Sequence, residues 1–152
     1  MNVVVGRFQD LPIDALAPLL AESEQAGWKF LRRLSDDWAS GANHFSKPGE
    51  SIFAASAAGT LIGVCGLNVD PYAGNRRVGR VRHLYVLSGF RRLGVGRRLV
   101  EAVVAAAKGW FVLLRLRTES DEAAEFYEAL GFQRRSDMPD CTHVRVVKSQ
   151  PL

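Results

Sequence analysis

The chain has only two cysteines in 152 residues, Cys65 and Cys141, and they form no Cys-x-x-Cys pair and have no histidine at ligand spacing. Both sit in apolar, strand-like stretches, so buried free thiols are expected rather than a disulfide, and no metal is expected. No apolar run approaches the roughly 18 residues that a membrane-spanning helix needs. The opening Met-Asn-Val-Val-Val-Gly-Arg-Phe lacks the charged-then-apolar layout of a secretory signal. A soluble, cytoplasmic protein with no membrane partner is therefore expected. No internal repeat, low-complexity tract or Pro/Gly/Ser-rich linker divides the chain, so residues 1–152 read as one domain, and 47% hydrophobic residues suffice for a core.

Lysine is scarce too, and arginine carries the basic charge that gives a formal net charge of +4. Eight arginines, Arg76, Arg77, Arg80, Arg82, Arg91, Arg92, Arg97 and Arg98, fall in one short stretch. Such a patch suits a polyanion. A nucleic-acid module is the weakest reading, because no helix carries basic residues along one face and no aromatic platform alternates along a strand. A phosphate-bearing cofactor is the more economical partner, with the rest of the arginines a solvated surface.

The segment from Val86 to Val100, Val-Leu-Ser-Gly-Phe-Arg-Arg-Leu-Gly-Val-Gly-Arg-Arg-Leu-Val, concentrates that signal. An apolar strand, Val81 to Leu87, passes through an Arg/Gly turn into an apolar-periodic helix, Val95 to Ala107. Glycines at 94 and 96 let the backbone approach a bound group, and the first helical turn offers unpaired amides at the positive end of the helix dipole. The spacing is neither a P-loop, which needs Lys-Ser/Thr after its second glycine, nor a dinucleotide fingerprint, which needs a third glycine. On spacing alone a plain strand-to-helix turn fits equally well.

Elsewhere, Val3 to Val5 reads as a strand, and Asp10-Leu11-Pro12 as the capped start of a helix running to about Gln25. Phe30, Leu31, Leu34 and Trp38 mark a second helix, Trp28 to Ala39, ended by Ser40-Gly41-Ala42-Asn43. Ser51 to Ala57 and Leu61 to Leu67 form a hairpin about Ala58-Gly59-Thr60, and the turn Asp70 to Asn75 leads into the strand ending at Leu87. After the Val95 helix come a buried strand, Trp110 to Arg117, a helix, Ser120 to Leu130, with Gly131 following it, and closing strands at Phe132 to Arg135 and His143 to Val147.

Arg91-x-x-Gly94-x-Gly96 after a strand, followed by Ala123-x-x-Phe126-Tyr127-x-x-x-Gly131-Phe132, resembles the GNAT family of acetyl-CoA-dependent N-acetyltransferases. The resemblance covers roughly residues 60 to 135, and the element order agrees throughout. It implies an α/β (α+β) fold, a mixed, mainly antiparallel sheet of about seven strands flanked by about four helices. It implies acetyl-CoA as donor, with Arg91, Arg92, Leu93, Gly94, Val95, Gly96 and Arg97 holding the pyrophosphate. It also implies that Leu84, Tyr85 and Val86 present backbone groups to the pantetheine arm. The alternative for those three is ordinary pairing within the sheet. Ser120 stands where many relatives have a pantetheine-binding asparagine.

Tyr127 is the candidate general acid, since a phenol keeps its proton at neutral pH and can give it to a departing thiolate. By spacing alone Ala123, Phe126, Tyr127 and Leu130 are an ordinary core stripe. Many relatives carry a glutamate base at the position of Arg82, and a guanidinium cannot take that role. Arg82 is either a binder of an anionic group on the acceptor or a structural ion-pair partner. Strand alternation predicts His83 on the face opposite Arg82 and Leu84, as a packing residue. Asp70 and Tyr72 are candidates for the cleft mouth, with a plain turn role the alternative for Asp70. Trp28, in the stretch Glu22 to Phe45, is a candidate acceptor contact or a packing residue.

The expected activity is acetyl transfer to a small-molecule or peptide amine by direct attack in a ternary complex, in a monomer or homodimer. Neither cysteine lies in a motif for a covalent intermediate. The alternative from another class is a non-catalytic acyl-CoA-binding or sensing domain, which the arginine at 82 would suit.

Overall fold

The computed structural model describes residues 2–8 and 13–147. Seven strands form one sheet in the order β1-β2-β3-β4-β5-β7-β6: β1 Val3–Phe8, β2 Ser51–Ala57, β3 Thr60–Val69, β4 Val78–Val86, β5 Leu113–Leu116, β6 Gln133–Arg134 and β7 His143–Val146. Every pairing is antiparallel except β4 with β5. Four α-helices flank the sheet: α1 Ala17–Gln25, α2 Phe30–Ser40, α3 Val95–Ala107 and α4 Asp121–Ala129. The mixed α/β architecture expected from the sequence is the one observed.

Apolar periodicity sorts the helices to two faces. Val95, Leu99, Val100, Val103, Val104 and Ala107 of α3 pack with Cys65, Leu67, Val81 and Leu114 of the sheet and with Tyr127 of α4. On the other face Leu19, Leu20, Leu31, Leu34 and Trp38 of α1 and α2 pack with Ile52, Ala54, Val64 and Tyr85. Ala58 and Gly59, both at positive φ, join β2 to β3 as a two-residue hairpin turn.

Several element boundaries differ from the sequence reading, three of them for reasons visible in the hydrogen bonding or the described range. The chain enters α1 through a 3-10 turn, Ile13–Leu16, and the expected cap at Asp10 and Pro12 lies outside the described residues. β4 begins at Val78 rather than Val81, because the Asp70 amide bonds to the Val78 carbonyl and the Val78 amide to Asn75. β5 begins only at Leu113: the amides of Trp110 and Phe111 still bond to the Ala107 carbonyl, completing the exit from α3 through Gly109 at φ +86°. Among the described residues no helix is long and apolar enough to cross a membrane.

Candidate functional site

β4 and β5 pair over only three rungs, Val78 with Leu113, Gly79 with Leu114 and Arg80 with Arg115. Beyond Arg80, β4 runs on to Val86 with no strand on that side among the described residues, so a length of backbone is open toward β5. Tyr85 and Val86 pair with Val64 and Gly63 of β3 while Leu84 falls in the irregularity of that ladder, and the other edge of this stretch faces the cleft. An extended chain carrying amides can bond there as a further strand would.

The open edge ends in the Arg/Gly turn. A 3-10 turn, Ser88–Phe90, leads to Arg92 at φ +64° and Gly94 at φ +80°, and these two left-handed residues on either side of Leu93 bend the loop tightly into the start of α3. α3 starts at Val95 with no side-chain cap, and Arg98 is the first amide to reach a helical acceptor, the Gly94 carbonyl. The amides of Val95, Gly96 and Arg97 therefore lack helical acceptors. A Cβ on Gly96 would stand 3.4 Å from the Phe126 ring, so α4 closes one wall. Charge is distributed differently from expectation. The Arg98 guanidinium donates to the Val3 carbonyl at 2.9 Å, and Arg97 pairs with Glu101 at 2.8 Å. Arg97 thus offers the site its backbone amide, while Arg91 and Arg92 stay on the loop.

Glu22 of α1 is the residue that sequence reasoning missed. Its carboxylate accepts from the Ser88 amide at 2.8 Å and the Tyr85 hydroxyl at 3.0 Å, and lies 3.5 Å from the Arg91 guanidinium. Arg91 also donates to the Val86 carbonyl at 2.8 Å and stacks over Tyr85. Burial works to push the Glu22 carboxyl up, but the Ser88 and Tyr85 hydrogen bonds and the Arg91 charge together hold it below the usual carboxylate value. Glu22 thereby ties the loop to the opposite face of the sheet. Its partners lie more than sixty residues away in sequence, and no local pattern announces them.

Ser120 is the N-cap of α4, its hydroxyl oxygen accepting from the Ala123 amide at 3.2 Å, which leaves the hydroxyl proton to donate. Tyr127 faces inward from α4 and meets Phe126 and Phe132 edge-on. Burial, and secondarily Cys65 beside it, push its phenol well above the ordinary value. Cys65 is fully buried and its thiol is pushed up to about 12, so it stays protonated and is a poor nucleophile. Cys141 is also a buried free thiol.

Two expectations are corrected on the α2 side. The β3–β4 register passes from Val64 with Tyr85 to Gly66 with Arg82, so Cys65 faces two residues of β4. His83 absorbs the extra residue at φ +62°. This bulge breaks strand alternation. His83 meets the Phe45 ring edge-on on the same side as Arg82, while Leu84 packs on the α3 face. His83 is buried and its pKa falls to about 3, chiefly by burial and then by the Arg82 charge, so it is neutral. Asp70 is no cleft-mouth group: its carboxylate is fully buried, 3.1 Å from Arg80 and 3.6 Å from Arg115, and caps the Tyr72 and Ala73 amides. Asp140 completes this cluster by pairing with Arg115.

Arg82 has neither hydrogen bond nor ion pair to any described residue, although burial lowers its pKa and Arg80, Arg33 and Asp37 all act on its charge. Tyr72 is exposed, its ring under the Arg80 guanidinium. Trp28 is 44% exposed and begins an aromatic line through Phe30 to Tyr85, each step 6.2 Å between ring centroids. Among the described residues no three His, Cys, Asp or Glu side chains gather as metal ligands.

The family model of the GNAT acetyltransferase domain matches residues 48–134, which spans the sheet from β2 to β6 and the whole Arg/Gly loop. The chain belongs to the GNAT acetyltransferase family. It is 32% identical over 108 residues to the N-alpha-acetyltransferase RimI of Mycobacterium tuberculosis, a match covering 65% of this chain and 63% of that protein's length. A crystal structure of a protein from Exiguobacterium sp. 255-15 described as an acetyltransferase aligns with a TM-score of 0.84 at 31% identity, covering 96% of this chain and 94% of that one. A GNAT-family acetyltransferase from Staphylococcus aureus Mu50 aligns with a TM-score of 0.77 at 19% identity, covering 97% and 100%, a likeness of fold. In this GNAT chain the residues that precede the family match at 48 supply Glu22, Trp28, Arg33 and Phe45 to the same face as Arg82.

Proposed function

We propose that this chain is an N-acetyltransferase that moves an acetyl group from acetyl-CoA to a primary amine by direct attack, without an acyl-enzyme. The observation that carries the reading is the continuity of two free backbone surfaces, the β4 edge beyond Arg80 and the uncapped start of α3. The residues present fit coenzyme A. Three first-turn amides with no helical acceptor, together with Arg91 and Arg92, suit its pyrophosphate, and the backbone of Leu84, Tyr85 and Val86 suits the amides of its pantetheine arm. Ser120 retains a hydroxyl proton for the same arm.

When bound, acetyl-CoA supplies a thioester whose carbonyl carbon forms a bond to the amine nitrogen as the carbon–sulfur bond breaks. Tyr127 holds its proton at any working pH and is the donor to the departing sulfur. Cys65, protonated and sealed, takes no part as a nucleophile. Arg82 stands where a base is expected, Asp70 is locked between two arginines, and Glu22 is held ionised by its donors. The amine proton therefore goes to water, and activity rises with pH toward the acceptor's own pKa.

The RimI relative is by name an N-alpha-acetyltransferase, which supports an α-amino acceptor, and this chain spans about 63% of that relative. The deciding experiment is a screen of amino acids, peptides and other amines for thiol release from acetyl-CoA. Acceptor-dependent release is the expected result. Tight acetyl-CoA binding with no release for any amine would favour a non-catalytic acyl-CoA-binding domain.

A further inference from the structure

We infer that Arg82, together with Arg33 of α2, forms a binding site for an oxyanion on the acceptor, most simply the carboxylate of a free amino acid. The inference rests on the acetyltransferase reading and names its substrate class. The buried arginines of this sheet show what a satisfied guanidinium looks like here. Arg80 and Arg115 sit on adjacent strands and share Asp70, with Asp140 as a further acceptor. Arg82, two residues along β4 and only partly exposed, has no carboxylate or carbonyl within bonding distance among the described residues. A cation withdrawn from water without an anion is a cost to the fold, and a ligand that brings the anion removes it.

The geometry places that cation where an acceptor would lie. Arg82 follows Val81 of the α3-side core by ordinary alternation and so faces α2, and the bulge at His83 keeps that residue on the same face, against Phe45, at the start of the open β4 edge. Five groups bear on this position. Arg33 of α2, Arg80 of β4 and Arg82 itself are positive, Asp37 of α2 is negative, and Tyr72 is neutral and exposed. Arg80 is already matched by Asp70, and Asp37 makes no ion pair with Arg82 or Arg33, so positive charge is left over. The neighbouring His83 is neutral and its buried Nδ1 is unpartnered, so it adds no competing charge. An ammonium alone would be repelled here. An amine carrying a carboxylate is attracted, and the guanidinium fork can grip both oxygens. A peptide N-terminus lacks that carboxylate beside its amine.

The test compares free amino acids with their carboxamides and with aminophosphonate analogues, in two measurements on the whole chain. The first is kcat/KM with acetyl-CoA. The acids are expected to exceed their amides by on the order of 10–100-fold, and R82Q is expected to bring the ratio close to one through KM. Preference for the aminophosphonate would assign the same site to a phosphoryl oxyanion. The second is calorimetric binding of N-acetyl amino acids against N-acetyl amino acid amides, which needs no turnover. Binding of the acid alone, lost in R82Q, is expected. R82Q should also leave the melting temperature unchanged or raised, since it removes an unpaired cation. Amides or peptides turned over as well as acids, or an R82Q effect equal on both, would overturn the oxyanion site while leaving acetyl transfer intact. Arg82-dependent binding of the acid with no turnover of any amine would keep the site and overturn acetyl transfer. Neither turnover nor binding would overturn both.

Discussion

Arg80 and Arg115 face each other on the last paired rung between β4 and β5, and both reach the buried carboxylate of Asp70. Two adjacent guanidiniums at the point where the sheet opens are held together by one carboxylate, while Asp140 accepts from Arg115 through its carboxylate and from Arg80 through its backbone carbonyl. Removing the Asp70 carboxylate leaves the buried Arg80 with no anion, facing a second guanidinium. Asp70→Ala is therefore expected to cost about 3–5 kcal/mol in urea unfolding. A loss within the range of a surface substitution would mean that Asp140 alone suffices. Because Asp70 is not the base, the pH profile of whatever folded enzyme remains should keep its shape.

Gly94 holds φ +80° with open space about it, so a β-branched residue is excluded by backbone conformation rather than by contact. At Gly96 an added Cβ would already be in contact with Phe126 at 3.4 Å, so the γ-methyl groups of a valine are what would crowd the ring. Acetyl-CoA should raise the melting temperature of the parent chain by mass action. Gly94→Val and Gly96→Val should lose that rise while circular dichroism reports a folded protein. An undiminished rise in both variants would remove the loop from the cofactor site.

Tyr127→Phe preserves the packing against Phe126 and Phe132 and deletes one proton. A fall in kcat on the order of 10²-fold is expected, with little change in KM for acetyl-CoA. Burial pushes the phenol up, so no alkaline limb should come from it in the parent. Unchanged turnover in the variant would reduce Tyr127 to a core residue.

His83 links stability to mild acid. Its ordinary pKa of 6.5 applies to the unfolded chain, and burial lowers it to about 3 in the fold, so between these values the unfolded state binds the extra proton. Stability contributed by neutral His83 is complete above pH 6.5 and is lost as pH falls toward 3. The depressed carboxylates Glu22 and Glu128 act only from about their ordinary value of 4.5 downward. His83→Asn tolerates positive φ and cannot titrate, so it should flatten the fall in melting temperature between pH 7 and pH 5. An equal slope in parent and variant would show that His83 is already protonated in the fold.

What the sequence determined by itself is local. The apolar spacing of α3 and α4, the hairpin at Ala58 and Gly59 and the Arg/Gly turn each depend on residues within a few positions of one another, where backbone sterics and helical period decide the outcome. The order of elements and the Arg/Gly turn were legible for that reason, and they were enough to point to the family. The tertiary structure decided everything that depends on register and distance. Whether His83 shares a face with Arg82 is set by how β4 pairs with Val64 and Gly66 of β3, and one extra residue in that ladder moves every side chain that follows. Asp70 reads as an ordinary turn residue until Arg115 arrives from another strand. Glu22 is one of several helix carboxylates until folding brings it to Ser88 and Tyr85. Arg82 is conspicuous for its lack of a partner, and that emerges only when Arg80 and Arg115 have taken up the Asp70 carboxylate nearby. Pairing partners far apart in the chain are chosen by the collective packing of the two sheet faces, which no short window of sequence contains.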